Sequence, residues 1–320
     1  MRVVEAKRFG GPEVLVPVEA PDPVAGPEQV VIKVSVVDTI FLDTQLRSGW
    51  GSEYFAMTPP YVPGGGVAGQ VISVGEGVDA GWVGRRVITT LGPRGGYTEQ
   101  ALAPADGLTV VPDALGLREA AALIHDGPHA LSLADTAGLQ PGEWVLVIPA
   151  AGGAGSLLVQ IAHATGARVI AGARGRPKLD LARSLGAEVV VDYSQPGWPE
   201  RVRAATGGLG PAVVFDGVGG QVGRAAFELA ARGGRVLATG APSGTTTDID
   251  SDLARRRELT VTGLFDLRSD RLRLTERALA DAAAGRIRPI IARTYPLEKA
   301  ADAHAAIEAR EVIGKTLLLI

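Results

Sequence analysis

Trp144-Val145-Leu146-Val147-Ile148 runs through Pro149 into Ala150-Ala151-Gly152-Gly153-Ala154-Gly155, and an alanine- and leucine-rich stretch continues to Thr165. The first five residues are apolar without polar alternation, as a parallel strand covered on both faces requires. Ala154 to Thr165 repeats at helical spacing and stops at Gly166, which can take the left-handed C-cap conformation. Between them, Gly152 and Gly155 fill the second and third glycine positions of G-x-G-x-x-G, with Ala150 in place of the first. Glycine lets backbone approach a pyrophosphate closely, and a helix N-terminus offers unpaired N–H groups and positive partial charge. The glycines alone also suit a tight turn made only for packing. A second strand about 20 residues on completes the βαβ frame and favours a dinucleotide site.

Outward from this turn, strands and helices keep alternating. Strand Arg168–Gly172 leads to helix Pro177–Leu185, stopped by Gly186, and to strand Glu188–Val191. Helix Trp198–Thr206, strand Ala212–Phe215, helix Gln221–Ala231 and strands Arg235–Thr239 and Leu259–Thr262 complete the series. Strands separated by helices in this way make a doubly wound parallel sheet. Upstream, short β segments such as Gln29–Val37, Gly69–Gly75 and Arg86–Thr90 alternate between glycines and prolines, as antiparallel strands do. Downstream, helix Arg271–Ala284, a short Ile287–Ala292 segment and helix Leu297–Glu308 precede the apolar tail Thr316–Ile320. A tail this hydrophobic needs a sheet to pair with. The expected fold is α/β, with a β domain built from both chain ends (residues 1–122 and 266–320) around a central Rossmann domain (residues 123–265).

The end of the second strand reports the cofactor. An NAD site places an acid there for the ribose hydroxyls, whereas an NADP site supplies cations. Here the strand runs into Ala173-Arg174-Gly175-Arg176-Pro177-Lys178 with no acid. Arg174 can meet a 2′-phosphate with a planar fork, and Lys178 can add a point charge. They can also be surface cations, but positive charge at a helix start opposes the helix dipole. NADPH is the expected cofactor.

Composition sets the outer limits. The 320 residues suffice for two cores, and 46% hydrophobic with 21% charged residues suits a globular enzyme. The net charge is −3 and the densest basic run is Arg255-Arg256-Arg257, so neither nucleic acid nor a membrane is expected as a partner. With no cysteine, a disulfide, a thiolate nucleophile and a cysteine-held zinc are excluded. Arg2, Glu5, Lys7 and Arg8 are unlike a signal peptide, and no stretch approaches the roughly 20 apolar residues of a membrane span. A cytoplasmic location is expected.

Further segments carry a resemblance. They are Phe9-Gly10-Gly11-Pro12-Glu13-Val14-Leu15, Leu46-Arg47-Ser48-Gly49, Tyr61-Val62-Pro63-Gly64, Val67-Ala68-Gly69 and Gly95-Gly96-Tyr97-Thr98-Glu99. Gly138-Leu139-Gln140-Pro141-Gly142-Glu143, Leu185-Gly186-Ala187, the run from Tyr295 to His304 and Gly314-Lys315 join them. Over essentially its whole length the chain resembles the zinc-free, zeta-crystallin-like quinone oxidoreductase branch of the medium-chain dehydrogenase/reductase superfamily. The resemblance implies a GroES-like β domain, a nicotinamide in the cleft between domains, and a homodimer joined through strands around Leu259–Gly263. It implies that Ala151, Gly152, Gly153, Ala154 and Gly155 hold the pyrophosphate, and that Arg174, Lys178 and Tyr193 surround the 2′-phosphate. Gly240, Leu264 and Phe265 would lie along the nicotinamide end, and Lys315 would close over the cofactor.

The chain departs from that pattern around the acceptor. Where the branch commonly has Asn-Pro-x-Asp, this sequence has Ile40-Phe41-Leu42-Asp43. A usual tyrosine is replaced by Gly51, with Trp50 and Tyr54 nearby, and a usual threonine aligns with Pro128. Ile40, Trp50, Tyr54, Tyr61 and His125 are the expected substrate-cleft residues. Asp38-Thr39-Ile40 and Gly64-Gly65-Gly66 stand where zinc-dependent relatives place their first ligands. His125 and His129 have i, i+4 spacing, but Gly127 and Pro128 between them disfavour the helix a metal pair would need, so no metal is expected. Tyr54, His125 and Asp126 are candidate catalytic groups: His125 or Tyr54 can supply a proton after hydride addition, while His125 and Asp126 can equally cap a helix. The expected function is hydride transfer from NADPH to a quinone, enone or similar small-molecule conjugated acceptor. Reduction of an enoyl thioester is the enzymatic alternative. An NADPH-binding structural or RNA-associated protein is the non-enzymatic one.

Overall fold

The structure, a computed structural model, describes every residue except 52–54 and 268–269, and the side chain of Leu264 is likewise outside the description. Tyr54, an expected proton donor, thus lies outside the described residues. The chain forms two compact units, Met1–Gly127 with Arg271–Ile320, and Pro128–Asp270.

In chain order come β1 (Arg2–Ala6), β2 (Leu15–Glu19), β3 (Gln29–Thr39), α1 (Phe41–Ser48), β4 (Gly66–Val74) and β5 (Arg86–Thr90). After them stand β6 (Gln100–Pro104), β7 (Thr109–Val110), α2 (Leu117–Leu123) and α3 (Asp126–Ala137). The second unit holds β8 (Trp144–Ile148), α4 (Gly153–Ala164), β9 (Arg168–Ala173), α5 (Arg176–Ser184), β10 (Val189–Asp192) and α6 (Trp198–Ala205). It continues with β11 (Val213–Asp216), α7 (Gly220–Leu229), β12 (Arg235–Ala238), α8 (Ser251–Arg256) and β13 (Thr260–Gly263). The chain then returns to the first unit through α9 (Arg271–Ala283), β14 (Ile291–Pro296), α10 (Ala300–Glu308) and β15 (Lys315–Leu319).

The second unit is the doubly wound sheet, its strands all parallel in the order β10-β9-β8-β11-β12-β13. The winding reverses between β8 and β11, the point at which such sheets open a ligand crevice. Val145, Leu146, Val147 and Ile148 are all buried, as their unbroken apolar run requires. In the first unit β14, β15, β3, β4, β5 and β7 lie side by side, and β6 pairs with the start of β3. The apolar tail is an inner strand: β15 runs antiparallel to β3 and parallel to β14. Strand β14 begins beyond Pro289, later than the expected Ile287–Ala292 segment, because proline supplies no N–H to a ladder.

Gly127 and Pro128 lie in the first turn of α3, which begins at Asp126, so His125 precedes the helix that carries His129. There the missing proline N–H is one that no helix carbonyl would accept anyway. Gly127 is needed for packing, since a Cβ on it would stand 2.7 Å from the Ala278 Cβ of α9.

Candidate functional site

The glycine turn is built by steric need. Gly152 is the N-cap of α4, with extended backbone at φ −82°, and Gly155 lies in the first helical turn. A Cβ on Gly155 would come within 1.8 Å of the Pro149 carbonyl oxygen, so only glycine lets the helix sit this close to β8. A Cβ on Gly152 would touch nothing nearer than 3.8 Å. Its lack of a side chain is therefore not demanded by internal packing, and leaves the helix start open to an anion. Ala151 is buried, while Gly153 and Ala154 are half-buried on the same turn.

Beside it, Arg174 follows β9 and is exposed, its guanidinium carbon 5.6 Å from the ring centre of Tyr193. Lys178 and Tyr193 are half-buried nearby in sequence, on α5 and just past β10. The cationic end of β9 is accompanied by an acid that the sequence pattern did not reveal. Asp192, at the end of β10, accepts the Gly175 N–H at 3.0 Å and the Ser194 N–H at 2.9 Å and hydroxyl at 2.6 Å. Burial works against its charge, but the bonds from Ser194 and Gly175 outweigh that and hold its pKa below the usual value. Three hydrogen bonds from Gly175 and Ser194 anchor it, and Arg174 stays exposed.

Further along the sheet, Asp216 is buried and accepts the Val218 and Gly219 N–H groups at 2.8 and 3.0 Å, and the Thr247 hydroxyl. It thereby shapes the turn after β11. Gly240 packs on that turn, where a Cβ would stand 2.0 Å from the Gly217 carbonyl carbon. Phe265 is 94% exposed just after β13.

The first unit contains a second polar centre. Lys315 opens β15 with its ammonium 2.6 Å from Asp38 Oδ1 and 2.8 Å from Asp126 Oδ2. The other Asp38 oxygen lies 2.7 Å from His125 Nδ1. Asp38 is fully buried at the end of β3, between β15 and β4. Burial opposes its charge, but Lys315 and His125 together hold the carboxyl below its usual range. Burial likewise opposes the Lys315 ammonium, and Asp126 and Asp38 outweigh it, raising its pKa. Lys315, expected over the cofactor, is thus engaged by two carboxylates of its own unit. His125 and Asp126 belong to this network, beyond any capping of α3. The sequence marks Asp38 only as standing where zinc-dependent relatives place a first ligand, because an acid inside an apolar strand does not reveal its distant partners.

The remaining expected cleft residues are scattered. Ile40 is the N-cap of α1 and half-buried, Trp50 is 42% exposed, and Tyr61 is a core residue whose buried hydroxyl has no hydrogen-bond partner among the described residues. Tyr61 pairs its backbone with Ala6. Asp43, the acid retained from the resemblance, closes its own helix by accepting the Ile40 N–H at 2.9 Å. Burial pushes its pKa from 3.8 to about 7, against the opposing backbone bond. Between those values the folded chain binds more protons than the unfolded one, so this group's contribution to stability falls as pH rises. Asp43→Asn is expected to be more stable than the parent at pH 8, by no more than about 4 kcal/mol. The advantage should shrink as pH falls from 7 towards 4. Thermal melts of both proteins at pH 4.5 and 8 check this; a gap independent of pH contradicts it.

Similarity to known proteins follows the two units. The alcohol dehydrogenase GroES-like domain matches residues 26–113, and the zinc-binding dehydrogenase domain matches residues 153–281. A 2-haloacrylate reductase from a Burkholderia species is 36% identical, with 97% of this chain and 96% of the relative covered. The quinone oxidoreductase of Sus scrofa is 31% identical, with 100% and 98% covered. Among solved structures, Escherichia coli quinone oxidoreductase complexed with NADPH superposes with a TM-score of 0.92 at 30% identity, covering 100% of each chain.

Proposed function

Because the chain belongs to the zinc-free quinone oxidoreductase branch of the medium-chain dehydrogenase/reductase superfamily, we propose that it is an NADPH-dependent reductase of small conjugated acceptors. The observation that carries this reading is the glycine turn beside the β8–β11 reversal, with the exposed Arg174 at the end of the neighbouring strand. The relatives' names span quinones and a haloacrylate, acceptors that share an electron-poor conjugated double bond.

Residues 123–265 form the NADP-binding domain in this reading, and residues 1–122 with 266–320 the substrate domain. Ala151, Gly152, Gly153, Ala154 and Gly155 receive the pyrophosphate through backbone N–H groups; Arg174, Lys178 and Tyr193 receive the 2′-phosphate. Gly240, Leu264 and Phe265 border the nicotinamide end. When bound, NADPH supplies the hydride from C4 of its nicotinamide. The chain's own part is to orient the acceptor and keep water away. Screening NADPH oxidation against quinones, enals, enones and enoyl thioesters tests the reading, and turnover of quinones or enones is expected. Turnover confined to enoyl thioesters selects thioester reduction instead, and cofactor binding without any turnover selects a non-enzymatic role.

A homodimer accompanies this reading. Strand β13 ends the parallel sheet, and an open edge invites pairing with a second copy across a twofold axis. Light scattering at micromolar concentration is expected to give twice the chain mass; the monomer mass rejects it. Among the described residues no helix is long and apolar enough to cross a membrane. We place the protein in the cytoplasm.

A further inference from the structure

We propose that His125 delivers the proton that completes reduction of the acceptor, and that Asp38 and Lys315 are the residues that position it. The inference rests on the reductase reading above and adds the source of the proton. Asp38 Oδ2 engages His125 Nδ1 at 2.7 Å, which fixes the ring through that nitrogen. The side chains of Asp38 and Lys315 are 0% and 5% exposed, whereas those of His125 and Asp126 are each 19% exposed. The imidazole is thus a route by which the buried charge of this network meets solvent. Its place is kept by glycine: a Cβ on Gly66 would stand 2.7 Å from the ring's Cε1.

Lys315 keeps Asp38 ionised, so the Nδ1–H bond stays charge-assisted while the Nε2 proton is given up. Hydride addition to the β-carbon of an enone consumes the C=C π bond and leaves an enolate. The His125 Nε2–H bond then breaks, a C–H bond forms at the α-carbon, and the neutral imidazole recovers its proton from water. One hydride and one proton enter the acceptor, and no other reagent is needed.

The test separates acceptors by their need for an acid. An enolate carbon needs a placed donor, whereas the phenol-like oxygen of a reduced quinone takes a proton from water readily. For His125→Gln, kcat with an enone is expected to fall by about 100-fold, a loss at least about tenfold larger than the loss of kcat with a quinone. The NADPH dissociation constant and melting midpoint should be unchanged, and these readings show that the variant is folded. In proton NMR the Nδ1–H resonance should lie far downfield in the parent and vanish in Asp38→Asn, which should lose enone turnover selectively as well. Equal losses with both acceptors, or no loss with enones, overturn the role of His125 while leaving the reductase reading intact. A parent protein that binds NADPH but reduces neither acceptor class overturns both.

Discussion

Arg174→Asp is expected to weaken NADPH binding by on the order of 100-fold while leaving NADH binding unchanged or improved. The 2′-phosphate adds nearly two negative charges and several acceptor oxygens, and Arg174 is the exposed guanidinium at the end of β9. Hydrogen bonds to charged groups contribute about 1.5–3 kcal/mol each, and 1.4 kcal/mol is tenfold in affinity. Solvent exposure reduces the gain, so two contacts are taken at about 2.8 kcal/mol together. The substituted acid can receive the ribose hydroxyls of NADH. Asp192 cannot serve that purpose readily, because it already accepts from Gly175 and Ser194. Dissociation constants for both cofactors, parent against variant at fixed salt, check the result. Equal binding of both by the parent, or equal loss of both by the variant, sinks the assignment.

The second large effect separates two glycines of one turn. Gly155→Ala places a methyl 1.8 Å from the Pro149 carbonyl oxygen, a backbone atom that can move only if α4 lifts off β8. A loss of about 3 kcal/mol or more is expected, with cofactor binding lost as the turn distorts. Gly152→Ala meets only ordinary contact at 3.8 Å and needs no unusual backbone conformation. Its stability should stay within about 1 kcal/mol of the parent, the small difference between glycine and alanine as an N-cap. It should nevertheless bind NADPH at least about tenfold more weakly, because its methyl occupies the space a pyrophosphate oxygen would approach. Denaturant unfolding combined with cofactor titration distinguishes the two. A Gly152→Ala protein with unaltered NADPH affinity would remove the pyrophosphate from this turn.

Legibility in the sequence followed the range of the interactions involved. Most strands of the second unit could be read because they are short apolar runs bounded by glycine or a helix, and both signals are local. Gly166 and Gly186 were readable as helix stops for the same reason, and both have positive φ, at 80° and 108°. Proline and glycine after His125 mark a helix boundary, and α3 begins at Asp126 with both in its first turn. Only the position of Pro128 within the first turn, and the proximity of Ala278, show why both are tolerated. Asp43 looked like a retained site acid, yet its carboxylate is occupied at the start of its own helix.

The sequence by itself determined the α/β architecture, the dinucleotide turn and the cationic end of β9, since periodicity, glycine spacing and local charge act over a few residues. Tertiary structure alone decided which distant charges meet. Lys315 lies 277 positions from Asp38 and 189 from Asp126, and neither separation leaves a trace in local pattern. The pairing of β15 with β3 brings Lys315 to the end of the strand that carries Asp38, the turn before α3 adds His125, and the first residue of α3 adds Asp126. Buried charges of this kind are tolerable only when their partners converge, and convergence is a property of the folded sheet.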